Sequence, residues 1–224
     1  MTSGPAALFD LDGTVWDSLP GIIASLEHAL AHVGVTPPSR EALMAHVGPP
    51  ILEMLADVGV PTERLHEACE VYRERYHRIG VTEAALYPGM LDLIDHLRAD
   101  GWRLATATSK GEVGTALMLQ HFGLTSRFDV VSAARMDATG HGKGPVIDRA
   151  LEGLGRPDPA STWMIGDRSY DVDGGRSAGL RTIGVMWGYA VNGELARSMP
   201  DRLARSVTEL GSILIGWGPI RDDG

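Results

Sequence analysis

Two carboxylates stand where a buried strand ought to end. Ala6-Ala7-Leu8-Phe9 is apolar throughout and reads as a short buried strand. Asp10 and Asp12 follow at once, and carboxylates are rarely buried unless paired or bound to metal. Gly13 then permits the sharp backbone turn that a strand exit needs. Such a pair can share a divalent cation, or divide into a nucleophile and an acid/base. The alternative is a turn, since Asp-Gly is a common hairpin signal. The rest of the chain decides between them.

After Trp16 the chain turns helical. Ser18 is placed to cap a helix carrying Ile22, Ile23, Leu26, Leu30 and Val33 at amphipathic spacing. Ser39 opens a second helix, which ends before Gly48-Pro49-Pro50. Ile51 to Val58 and the stretch from Thr62 to Tyr76 read as two more, and no strand is expected between Ser18 and Ala85. From Pro88 onward strands and helices alternate. Strands are expected at 102–108, 128–132, 162–165, 181–185 and 202–204, with helices between them and a last one at 207–215. Alternation of this kind argues a parallel sheet with helices on both faces. The site in such sheets lies beyond the carboxyl ends of the strands. Asp10/Asp12, Thr108/Ser109 and Asp167 each fall at such an end, and Lys143 opens a helix facing the same edge.

Composition bounds what the site can serve. The chain has 224 residues and a formal net charge of -9, which argues against a nucleic-acid backbone as partner. Cys69 is the single cysteine, so neither an internal disulfide nor a zinc site of several thiolates is available. No apolar run is long enough to span a bilayer. Met1-Thr2-Ser3-Gly4-Pro5 has no basic stretch and no apolar core, so a cytoplasmic location is expected. The final run, 216–224, has the Gly, Pro and charge content of a poorly ordered tail.

Asp10-Leu11-Asp12-Gly13-Thr14, Thr108-Ser109, Lys143 and Gly166-Asp167-Arg168-Ser169-Tyr170-Asp171, in that order, resemble the four motifs of the haloacid dehalogenase-like (HAD) hydrolase superfamily. The resemblance implies an α/β fold: a parallel-sheet, Rossmann-like core from residues 1–16 and 87–224, with an inserted all-helical C1 cap at 17–86. Val47-Gly48-Pro49-Pro50, Leu86-Tyr87-Pro88-Gly89 and His121-Phe122-Gly123-Leu124 are similar to the phosphoglycolate phosphatase-like branch, especially its 5′-nucleotidase-like members.

By that resemblance Asp10 is the nucleophile and Asp12 the acid/base of a phosphomonoester hydrolase that passes through an aspartyl-phosphate. Thr108, Ser109 and Lys143 bind the phosphoryl group, Lys110 being a weaker rival for the lysine role. Asp10, Asp167 and the backbone carbonyl of Asp12 hold Mg²⁺, and Asp171 acts from behind, through water or by holding Lys143. Gly48 faces the substrate from the cap, and Trp16 either flanks the entry or packs. The expected partner is a small phosphorylated metabolite such as phosphoglycolate or a nucleoside monophosphate, with no nucleic acid and no membrane, and the chain a monomer or homodimer. Asp12 argues against a dehalogenase, which lacks the second acid. A sugar-phosphate mutase keeps both acids and stays open. A phospho-accepting receiver module is disfavoured by the helical insert and by Asp12 lying directly beyond Asp10, and a non-catalytic binding protein by the intact motifs.

Overall fold

The computed structural model describes residues 4–135, 143–191 and 193–215; the final run, 216–224, lies outside the described residues. Strand β1 (Ala6–Phe9) is wholly buried and lies inside a five-stranded sheet. Its side chains alternate between two cores. Ala7 and Phe9 belong to one, Ala6 and Leu8 to the other, as the two-residue period of a strand requires. A two-residue strand, β2 (Trp16–Asp17), leads into a run of helices: α1 (Leu19–His32), α2 (Arg40–Ala45), α3 (Ile51–Asp57) and α4 (Leu65–Arg78). Strand β3 (Ala85–Leu86) closes that run by pairing antiparallel with β2, Trp16 opposite Leu86 and Asp17 opposite Ala85. This ribbon falls just outside the stretch expected to be free of strands on its first side and at its edge on the second. Two residues per strand are too few to show a period.

The remaining chain alternates. Helix α5 (Met90–Ala99) precedes β4 (Arg103–Thr106); α6 (Glu112–His121) and α7 (Gly144–Gly153) precede β5 (Thr162–Gly166); α8 (Ser169–Ser177) precedes β6 (Arg181–Val185); α9 (Glu194–Ser198) precedes β7 (Arg202–Ala204); and α10 (Val207–Ile215) follows. The sheet order is β4-β1-β5-β6-β7, every pair parallel. Ile94 and Leu97 of α5, Met118 and Leu119 of α6, and Leu210 and Leu214 of α10 fill the core on one face. Val146, Ile147 and Ala150 of α7 fill the other. The buried residues of α1, α3 and α4 are continuous with the first of these cores.

The strand expected at 128–132 is reduced to a single parallel bridge, Val130 to Ala105. Side chains complete the ladder there. The Leu104 amide donates to Asp129 Oδ2 at 2.8 Å. The Thr106 hydroxyl accepts from the Ser132 amide at 2.8 Å and donates to the Ser132 carbonyl at 2.9 Å. Backbone bonds join the same segments, from the Asp129 amide to the Leu104 carbonyl at 2.8 Å, from the Thr106 amide to the Val130 carbonyl at 3.0 Å and from the Thr108 amide to the Ser132 carbonyl at 3.3 Å, and the side chains take the groups between them.

Ser18 corrects a second expectation. Its side chain makes no capping bond at the start of α1 and donates instead to Asp12 Oδ1 at 2.5 Å. Ser39 does cap α2, accepting from the Ala42 amide at 3.2 Å.

Candidate active site

Because β4, β1 and β5 run side by side in parallel, their carboxyl ends deliver adjacent residues to one edge. Phe9 stands in register with Thr106 and with Ile165. Asp10 therefore emerges between Ala107-Thr108 on one side and Gly166-Asp167 on the other. Gly13, at φ +81°, turns the chain back, and a Cβ there would fall 2.4 Å from Asp167 Oδ2. Only glycine admits both the backbone angle and the approach.

Asp10, Asp167 and Asp171 are buried, and each presents a ligand oxygen within 4.8 Å of the others. Lys143, also buried, stands against two of them: Nζ is 2.6 Å from Asp10 Oδ1 and 2.7 Å from Asp171 Oδ1, and it donates to the Ala107 carbonyl at 2.9 Å. Asp171 Oδ2 accepts from the Arg168 amide at 3.0 Å, which ties it to the first turn of α8. Asp167 accepts from Thr14 Oγ1 at 3.2 Å and from the Tyr189 amide at 2.6 Å. One ammonium thus faces three carboxylates. Burial pushes Asp10 up to about 6 against the pull of Lys143, with the charge of Asp171 adding to the rise. Burial, then the charges of Asp10 and Asp171, lift Asp167 well above the usual carboxylate range. Burial opposes the charge on Lys143, but Asp10 and Asp171 outweigh it and hold this lysine protonated above its ordinary range. A buried, all-oxygen donor set with excess negative charge fits a hard divalent cation. Asp171 lies within this set and holds Lys143.

Asp12 faces away from that group. Its Oδ1 accepts from Trp16 Nε1 at 2.8 Å and from Ser18 Oγ, and its Oδ2 accepts from Lys110 Nζ at 2.7 Å. Burial would raise Asp12, but Lys110, Ser18 and Trp16 together hold it below the usual range. Trp16 is fully buried, stacked on Phe122 with ring centroids 5.5 Å apart, and it does not line the cavity. Of the two readings of Trp16, the structure places it in packing and as a donor to Asp12.

A cavity of about 650 Å³ opens over these groups, lined on the core side by Asp10, Asp12, Thr108, Ser109 and Lys143. Gly48 lines it from the loop before α3. At φ +136° this glycine lies where Arg168 Nη1 would be 3.0 Å from a Cβ. The Arg168 guanidinium donates to the Val47 carbonyl in the same loop, and its Nε donates to Glu194 Oε1 at 2.9 Å. Glu194 also accepts from the Ser169 and Val191 amides at 2.8 and 3.1 Å. One buried ion pair thus ties the loop after β5, the start of α9 and the loop before α3 together.

Four of these residues escape a reading of the sequence: Lys110 as the partner of Asp12, Arg168 with Glu194, and Tyr189. The Tyr189 hydroxyl accepts from the Ser18 and Leu19 amides at 2.8 and 3.0 Å and donates to Asp17 at 2.9 Å, where the chain enters the insert. Arg40 and Arg64 pair with Glu27 and Glu67 on the surface of the insert and do not line the cavity.

Residues 7–185 match the haloacid dehalogenase-like hydrolase family. Among solved structures, a predicted phosphatase from Clostridium acetobutylicum superposes with a TM-score of 0.87 at 32% identity, covering 95% of this chain and 99% of that one. A 5′-nucleotidase of Pseudomonas aeruginosa is 32% identical over 211 residues, 94% of this chain and 95% of that protein. The tyrosine-protein kinase PtkA of Mycobacterium tuberculosis is 42% identical over 182 residues, 81% of this chain; the match spans 62% of that protein's length. The order of the motifs, the parallel sheet that brings them to one edge and the match along most of the chain agree: this protein belongs to the haloacid dehalogenase-like hydrolase family.

Proposed function

We propose that the protein is a Mg²⁺-dependent phosphomonoester hydrolase in which Asp10 carries the phosphoryl group. The observation that supports this reading best is the placing of two differently held carboxylates on one short loop. Asp10 faces the acidic group and Lys143, whereas Asp12 is turned to Lys110, Ser18 and Trp16. Two carboxyl groups kept in unlike surroundings can take unlike roles.

A carboxylate oxygen of Asp10 attacks phosphorus, and the bond from phosphorus to the ester oxygen breaks. Asp12 gives its proton to the departing alkoxide; the proton is taken up when a dianionic ester enters beside it and raises its affinity for protons. Asp12, ionised again beside Lys110, then takes a proton from the water that attacks the aspartyl-phosphate. Inorganic phosphate leaves and Asp10 is regenerated. Lys143 neutralises charge on the phosphoryl oxygens, while the Thr108 hydroxyl and the Ser109 amide donate to them. Asp10, Asp167 and the Asp12 carbonyl, with Asp171 alongside, would hold Mg²⁺, which would supply positive charge at the phosphoryl oxygens and favour the ionised form of Asp10. The helical insert serves as the cap that excludes water and meets the leaving group.

A second reading, phosphoryl transfer onto a protein tyrosine, is favoured by the likeness to PtkA. One assay series separates the two. Release of inorganic phosphate from a panel of esters, with and without Mg²⁺, is set beside formation of phosphotyrosine from ATP. Metal-dependent phosphate release without phosphotyrosine is the expected result, and phosphotyrosine formation without ester turnover overturns it.

A further inference from the structure

The catalytic groups occupy only part of the cavity, and the rest of its wall differs in kind. From the insert come Ile22 of α1, Pro49 and Pro50, Ile51, Leu52 and Met54 of α3, and Tyr72 and Tyr76 of α4. The two tyrosines, four residues apart on one helix face, lie parallel at 6° with ring centroids 5.6 Å apart. A phosphate ester of two or three carbons would leave most of about 650 Å³ to water against apolar and aromatic surface.

Most cations on the wall have an acidic partner. Lys110 is paired with Asp12, Arg73 with Glu70, Arg135 with Glu112 and Arg168 with Glu194. Arg149 donates to the Ala133 carbonyl and is the one cavity cation with no acidic partner among the described residues. His77, held below its ordinary range by burial and by Lys110 and Arg73, is uncharged at neutral pH. A leaving group with its own carboxylate or phosphate finds one cavity cation, Arg149, without an acidic partner among the described residues.

We propose that the leaving group is a bulky, uncharged, ring-bearing alcohol rather than a compact or anionic one; this rests on the hydrolase reading above. The class spans nucleosides and simple arylalkyl alcohols, which share a flat ring suited to an aromatic wall.

The test compares esters of primary alcohols, so that ring size and charge vary more than the intrinsic ease of departure. Ethyl phosphate, phosphoglycolate, benzyl phosphate and a nucleoside 5′-monophosphate are assayed with Mg²⁺. The expected kcat/KM for at least one ring-bearing ester exceeds that for ethyl phosphate and for phosphoglycolate by about 10²-fold, the scale of burying one ring. Whichever of the two ring-bearing esters is faster identifies the source. Leu52 is 45% exposed and lines the cavity, so Leu52→Asp places a charge in the wall without disturbing the core. That substitution is expected to lower the ratio of benzyl to ethyl phosphate about tenfold. Turnover of ethyl phosphate or phosphoglycolate at or above that of both ring-bearing esters overturns the proposal and leaves the hydrolase reading standing. No turnover of any ester overturns both.

Discussion

Lys110 Nζ lies 2.7 Å from Asp12 Oδ2, across 98 residues of sequence, with the ammonium 4.3 Å from the centroid of the Tyr76 ring. The lysine comes from the loop after β4, the carboxylate from the loop after β1, and the ring from the helical insert. Lys143 meanwhile sits on Asp10. Each carboxylate of the opening motif thus has its own ammonium.

If Lys110 keeps Asp12 ionised for the hydrolytic half-reaction, its loss must show in the pH profile. With its ammonium gone, burial acts on Asp12 unopposed by that charge, and the carboxyl titrates at higher pH. The acid limb of kcat for Lys110→Met is expected to move to higher pH. A limb that stays in place while kcat falls uniformly would assign Lys110 a packing role.

If Asp10 holds the metal, metal and proton compete for it. In the metal-free protein this carboxyl is raised to about 6, so it is mostly ionised at pH 7.5 and mostly protonated at pH 5. Apparent Mg²⁺ affinity, read by calorimetric titration, is expected to fall about tenfold for each pH unit below 6. The thermal stabilisation given by Mg²⁺ should shrink over the same interval. An affinity flat from pH 7.5 to 5 would remove Asp10 from the metal site.

The Arg168–Glu194 pair is buried on both sides, with 9% and 10% of the two side chains exposed. Glu194→Ala leaves a guanidinium in a desolvated position and frees the amides of Ser169 and Val191. Urea unfolding is expected to show a loss of about 3–5 kcal/mol. Because Arg168 also reaches the Val47 carbonyl, KM should rise in the same variant as the Gly48 loop loses its anchor. Unchanged KM would confine the pair to a stabilising role.

The part of this architecture that a sequence shows is the part written in local pattern. Asp10, Thr108 and Asp167 each follow an apolar run, and parallel pairing carries all three to one edge, with Lys143 at the first turn of α7 beside them. Contacts made between distant segments leave no such pattern. Nothing near Lys110 points to Asp12, and nothing near Glu194 points to Arg168. Ser18 looks like a helix cap because its local setting is that of one, yet a tertiary partner, Asp12, takes its hydroxyl. The run 128–132 has strand composition and bonds to β4 through its backbone at a few points, but the Thr106 hydroxyl and the Asp129 carboxylate take the groups between them, and only one bridge results.

The central claim is that Asp10 carries the phosphoryl group, and trapping it there is the most direct measurement. Wild type and Asp10→Asn are mixed with Mg²⁺ and a turned-over ester, quenched in acid during the first turnover, digested and analysed by mass spectrometry. A phosphoryl group on the peptide containing Asp10 in the wild type, with none in Asp10→Asn and kcat down by about 10⁴-fold or more, is the predicted result. Wild-type kcat retained by Asp10→Asn, with no phosphorylated aspartate in either protein, would contradict it.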